Sequence, residues 1–143
     1  MFDFQDALNA QRKLQINSFG KDPVGLEGEE RSDWIRWNVL ALEDELHEAL
    51  AETGWKPWAT SNHLNRAAYV SELVDAFHFF MNLMLVADCN AEEFLNKYVE
   101  KRKINIKRQE EGYDGIAGKC RMCKHAFDDP AVTCTVLACE WDE

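Results

Sequence analysis

Two pairs of carboxylates have the spacing of a metal site. Glu45 and Glu48 lie three residues apart, and so do Glu72 and Asp75. On a helix, residues three apart share one face, so each pair would aim its charges the same way. The second pair sits in VSELVDAFHFFMNLMLV (Val70 to Val86), the most apolar stretch of the chain, and Glu72 and Asp75 are its only charged residues. An unpaired carboxylate in such surroundings is costly unless it is neutralised or given a cation. Facing pairs from two helices would gather four negative charges, and a hard divalent ion between them relieves that. Oxygen donors select magnesium or manganese over softer metals. For Glu45 and Glu48 alone a solvated acidic face is an equal reading, since Glu43, Asp44 and Glu52 share the segment.

A second cluster lies near the C-terminus. Cys120 and Cys123 form a knuckle, and Cys134 and Cys139 follow as a second pair. Four thiolates so arranged suit a tetrahedral structural zinc, with His125 as a substitute ligand. A metal would supply stability that so short a segment cannot draw from a core. Four free thiols are the competing reading. Cys89 has no partner in the sequence.

These residues need elements to hold them. Apolar residues recur at helical spacing between breaks at Pro23, Pro57 and Pro130, and no period-2 strand is evident. The pattern predicts a helix from Asp3 to about Ser18. A second, capped by Ser32, would end near Thr53-Gly54. A third, capped by Ser61 or Asn62, would reach about Ala87, and a fourth would follow Asn90 to about Gln109. The glycine-rich EEGYDGIAGK closes the last helix. The expected architecture is an all-α, four-helix bundle over residues 1–115, followed by a cysteine-rich tail over 116–143.

The 143 residues suit one compact domain, and 46% hydrophobic content can build a core. The net charge of -10 argues against general binding to nucleic-acid phosphates. The N-terminus has no apolar signal region, and the uncharged run from Ala76 to Ala87 is short and holds His78 and Asn82. The expectation is a soluble, cytoplasmic protein with reduced or metal-bound cysteines.

The acidic pattern, Glu-x-x-Glu followed by Glu-x-x-Asp, resembles that of the all-α MazG-like nucleoside triphosphate pyrophosphohydrolases. Finer features are similar to their dimeric dUTPase branch, found in phages among other sources. ELVDAFHF (Glu72 to Phe79) resembles the branch's acidic helix, GWKPW (Gly54 to Trp58) its Trp-Lys-x-Trp segment, and YVEKRKINIKRQEEGY (Tyr98 to Tyr113) its basic motif. Arg102 stands where that motif has Asn. The family's Gln-x-x-Leu-Asn base-recognition element has two counterparts, QRKLQ from Gln11 and QDALN from Gln5, of which the first is better placed but ends in Gln15.

The resemblance implies magnesium-dependent hydrolysis of dUTP, or dUDP, releasing dUMP and, from the triphosphate, pyrophosphate. Glu45, Glu48, Glu72 and Asp75 would be the metal ligands, one of them, such as Glu48, also acting on the attacking water. Gln11, Trp55, Lys56, Phe79, Lys101, Asn105 and Arg108 would hold the substrate. Trp55, Trp58 and Phe79 could stack on the base or merely pack; Trp34 and Trp37 read as core or interface, and His78 as a hydrogen-bonded core histidine. A homodimer or a higher homo-oligomer is implied, since the relatives are dimers or tetramers. Two alternatives stay open: the same site acting on dCTP, a purine or a modified nucleotide, or a zinc-tailed interaction module whose acids pair with a partner's cations.

Overall fold

The computed structural model describes residues 1–112, 118–120 and 124–127. The described residues form four helices and no strand: α1 (Phe4–Phe19), α2 (Gly28–Ala51), α3 (Arg66–Val86) and α4 (Ala91–Glu110). The all-α expectation holds. The chain divides into two units, Met1–Glu92 and Glu93–Glu143. The boundary expected at 115/116 lies outside the described residues.

In the first unit α2 packs along α3, and α1 packs on α3. Ala49 and Ala76, both buried, present small side chains that let helix backbones approach closely. Leu8 is 1% exposed and, with Met81, Met84 and Leu85, forms the buried apolar centre. Full burial of a leucine stabilises by about 1.5–3 kcal/mol. Phe4 and Phe77 extend this centre, with ring centroids 5.7 Å apart.

Local chemistry explains where the helices begin. Asp3 and Asp6 form a reciprocal capping box: the Asp6 amide donates to Asp3 Oδ1 (2.9 Å) and the Asp3 amide to Asp6 Oδ2 (3.1 Å). Gly20 ends α1 at φ 66°, a left-handed conformation in which glycine meets no Cβ penalty. The Arg12 guanidinium grips both oxygens of Asp22 at 3.0 and 2.7 Å and holds that carboxyl below its usual pKa. This fixes the loop that leads into α2.

Two expected caps differ. Helix α2 starts earlier, at Gly28, and Ser32 lies inside it with its hydroxyl donating to the Gly28 carbonyl at 3.2 Å; a serine can bond back along a helix as readily as cap it. Ser61 and Asn62 lie in the connection before α3, whose N-cap is Asn65. Asn65 is held by Glu52, which receives its backbone and side-chain N–H groups at 2.9 and 2.8 Å. That connection also contains Gly54, where an added Cβ would lie 2.0 Å from the Ser61 carbonyl oxygen. Only glycine fits there. Helix α3 has the length and apolarity of a membrane span, with a mean hydropathy of 1.2, although it packs here against α1 and α2.

Candidate metal centre and pocket

Helix α2 brings Glu45, and α3 brings Glu72 and Asp75, to one place. Their ligand oxygens all lie within 4.8 Å of one another. Glu45 and Glu72 are half-buried and Asp75 is exposed. Glu48 is exposed and stands outside that group of three, yet its charge acts on both glutamates. Partial loss of water, and then the charges of Glu48, Asp75, Glu72 and Asp44, hold the Glu45 carboxyl above its ordinary pKa. Loss of water, then Glu48, Asp75 and Glu52, do the same to Glu72. Both shifts oppose ionisation, and among the described residues no ion pair joins a lysine or arginine to these acids. Oxygen donors alone, half-desolvated and mutually repelling, fit a hard divalent cation.

A pocket of about 510 Å³ opens on the same pair of helices, lined by Trp34, Trp37 and Asn38 of α2 and Phe79 and Asn82 of α3. Asn38 precedes Glu45 by seven residues and Asn82 follows Asp75 by seven. On either helix that is two turns, roughly 10 Å at a rise of about 1.5 Å per residue. The end of α1 contributes Gln15 and Phe19, while Lys21, Glu30 and Asp33 supply charge to the lining.

Buried amides cross between the helices as a relay. Gln11 Nε2 donates to Asn82 Oδ1 (2.9 Å), Asn82 Nδ2 to Asn38 Oδ1 (2.8 Å), and Asn38 Nδ2 to the Trp34 carbonyl (2.8 Å). Trp34 Nε1 returns a bond to the Asn82 carbonyl at 3.2 Å, and His78 Nδ1 meets Gln11 Oε1 at 2.7 Å. His78 is thus bonded to an amide.

The other expected site residues fall as follows. Gln11 is 3% exposed, with both ends of its amide engaged in the relay. Phe79 lines the pocket. Trp55 and Trp58 are exposed, and the Lys56 ammonium lies 6.0 Å from each indole centroid, the outer range of a cation–π contact. Lys101 and Asn105 share a groove on α4 with Tyr98, Ile106 and Gln109; Arg108 is half-buried on the same helix. These three belong to the second unit. Cys120 is buried, whereas Cys123, Cys134 and Cys139 lie outside the described residues. Sequence reasoning missed Asn38, Asn82 and the pocket role of Trp34 and Trp37. The available signal was polar residues at helical spacing from the acids.

The chain belongs to the dUTPase family: the family model of that description matches residues 1–93, which include all four acids. Membership makes it a nucleotide hydrolase of the all-α class. It is 29% identical over 140 residues to the dCTP pyrophosphatase of Enterobacteria phage T4, covering 76% of this chain and 81% of that one. To the dCTP pyrophosphatase of Enterobacteria phage LZ5 it is 27% identical over 138 residues, covering 79% and 80%. No solved structure matches significantly.

Proposed function

We propose that the protein hydrolyses dUTP, and dUDP, to dUMP, releasing pyrophosphate from the triphosphate. The observation that carries this reading is the convergence of Glu45, Glu72 and Asp75 within 4.8 Å. These residues, with Glu48, would hold magnesium, for which manganese can substitute. The ion, when bound, supplies Lewis-acid stabilisation of phosphate charge and acidifies water. Glu48, which stands outside the group of three, would orient the attacking water and take its proton. Phe79 closes on the base, while Trp55 and Lys56 cover the sugar and phosphates. Lys101, Asn105 and Arg108 are assigned to the substrate by the family motif.

The names of the two phage relatives favour a second reading, in which dCTP is the preferred substrate. Incubation with each dNTP and magnesium decides. We expect monophosphate and pyrophosphate from a pyrimidine nucleotide, at the highest kcat/KM for dUTP. A higher kcat/KM for dCTP supports the second reading, and silence with every nucleotide sinks both.

We also place the chain in a homodimer within the cytoplasm, with zinc on its tail. Exposed apolar side chains along α2 and α3, including Leu46, Val70 and Val74, suit a second copy. At the tail, Cys120 N–H donates to the His125 carbonyl at 2.8 Å and Lys124 N–H to the Cys120 carbonyl at 3.0 Å, which ties Cys120 to the segment that carries His125. Sedimentation should give twice the 16.5 kDa chain mass, and elemental analysis one zinc per chain. A monomer, or zinc-free protein from zinc-replete cells, overturns the respective assignment.

A further inference from the structure

We infer that Glu52 is a positioning residue of the active site: its bonds to Asn65 close the neck of the loop over residues 54–63 and so set Trp55 and Lys56 over the nucleotide. The inference rests on the nucleotide reading above and adds to it a residue that acts through another.

The two ends of that loop are joined. The Asn65 N–H donates to the Glu52 carbonyl at 2.9 Å, and the Gly54 N–H donates to the His63 carbonyl at 3.0 Å. Together these bonds make an antiparallel bridge between Thr53 and Leu64. Asn65 Nδ2 then donates to Glu52 Oε2 at 2.8 Å and fastens the bridge from outside. Within the loop the Ala59 N–H donates to the Lys56 carbonyl at 2.8 Å, a turn that carries Lys56, Pro57 and Trp58. Loops with joined ends are compact units that move from their necks.

This side-chain bond forms against two local preferences. Asn65 is the N-cap of α3, where an asparagine ordinarily accepts a bond from an amide of its own first turn. Here its side chain makes no cap bond and is spent on Glu52 instead. Glu52 in turn adds negative charge where there is already too much. Loss of water, then Glu48 and Asp75, and then Glu52 hold the Glu72 carboxyl above its ordinary pKa. A neutral side chain would spare the metal-free site that repulsion. What the carboxylate supplies in exchange is a charge-assisted bond to Asn65, stronger than one between neutral groups.

The place of the bond gives it a function. Glu52 follows Glu45 by seven residues, and Asn65 precedes Glu72 by seven. On either helix that is two turns, roughly 10 Å. At the other side of the acids, Asn38 precedes Glu45 by seven and bonds Asn82, seven beyond Asp75. Side-chain bonds therefore tie α2 to α3 on both sides of the metal acids. The Glu52–Asn65 bond also fixes where the chain leaves α2 and where it returns as α3. Those two points are the base from which Trp55 and Lys56 reach.

The test exchanges the chemistry of the two partners. Asn65→Asp keeps an N-cap residue as good as asparagine but sets a carboxylate against Glu52. It should raise KM for the nucleotide about tenfold and change kcat by less than about twofold, because the loop binds ground state and transition state alike. Amide hydrogen exchange over residues 54–63 should quicken in the same variant. Glu52→Gln can still accept from Asn65 and should stay within about threefold of wild type. The double variant Glu52→Gln/Asn65→Asp has the wild-type net charge and remakes the bond in the opposite direction, the new glutamine donating to the new aspartate. Its KM and its exchange should return to within about threefold of wild type. Asn65→Ser, an N-cap of shorter reach, replaces Asn65→Asp if that variant does not fold, and should raise KM likewise. A single variant with wild-type KM and exchange, or a double variant no better than the single, overturns the inference while leaving the activity intact. A wild type inert toward every nucleotide overturns the activity and this inference with it.

Discussion

Glu72→Gln is expected to reduce magnesium-dependent turnover by about 10²–10³-fold or more while leaving the helices in place. The substitution keeps the shape of the side chain and removes its charge. A metal ion contributes several kcal/mol of charge stabilisation, and each ~1.4 kcal/mol is tenfold in rate. Glu72 lies with Glu45 and Asp75 where α2 and α3 bring these acids together. Removing its charge should do most of the damage that removing the ion would do. A variant with full activity would sink the metal assignment.

The same variant should be more stable than wild type in metal-free buffer. Glu45 and Glu72 both hold protons to higher pH in the folded chain than their ordinary value of 4.5. Their contribution to stability is fully present below that ordinary value and is lost as pH rises through the raised, folded values. Metal-free wild type should therefore lose melting temperature as pH rises from 4 through that window, and Glu72→Gln should lose less. Magnesium should oppose the trend, because it binds the deprotonated carboxylates. Thermal melts in chelator and in magnesium across this range test the sign. A metal-free protein that gains stability across the window would contradict it.

Asn82→Leu should be the most destabilising single change in the pocket, at about 2–6 kcal/mol. Asn82 is 4% exposed and its amide bonds both Gln11 and Asn38. Leucine leaves the Gln11 donor and the Asn38 acceptor buried without partners, at about 1–3 kcal/mol each. The Trp34 bond to the residue 82 carbonyl does not depend on the side chain, so local helix structure should persist. Urea unfolding followed by circular dichroism gives the change. A loss under about 1 kcal/mol would mean that the relay does not tie α1 to α2 and α3.

Much of this was legible along the chain because the physics is local. Helical spacing set the apolar stripes, and an interval of three residues put Glu72 beside Asp75 whatever the helix packed against. Asp3 and Gly20 mark helix ends through groups a few residues away. Ser32 and Ser61 misled for the complementary reason: many sites suit a cap chemically, and the choice among them depends on the rest of the fold. In the second case Glu52, thirteen residues from Asn65, holds the actual cap.

By itself, then, the sequence determined that the chain is helical and that it carries paired acids at metal-ligand spacing. Only the tertiary structure decided which acids meet and which glutamine is held by distant partners. Glu45 reaches Glu72 and Asp75 because α2 and α3 settle in one register, and no short stretch of either helix encodes that register alone. Gln11 and Gln15 share a residue type and a helix face. One is consumed by partners 67 and 71 positions away, while the other lines the pocket and, among the described residues, receives no side-chain hydrogen bond; such long-range pairing exists only once the helices have packed.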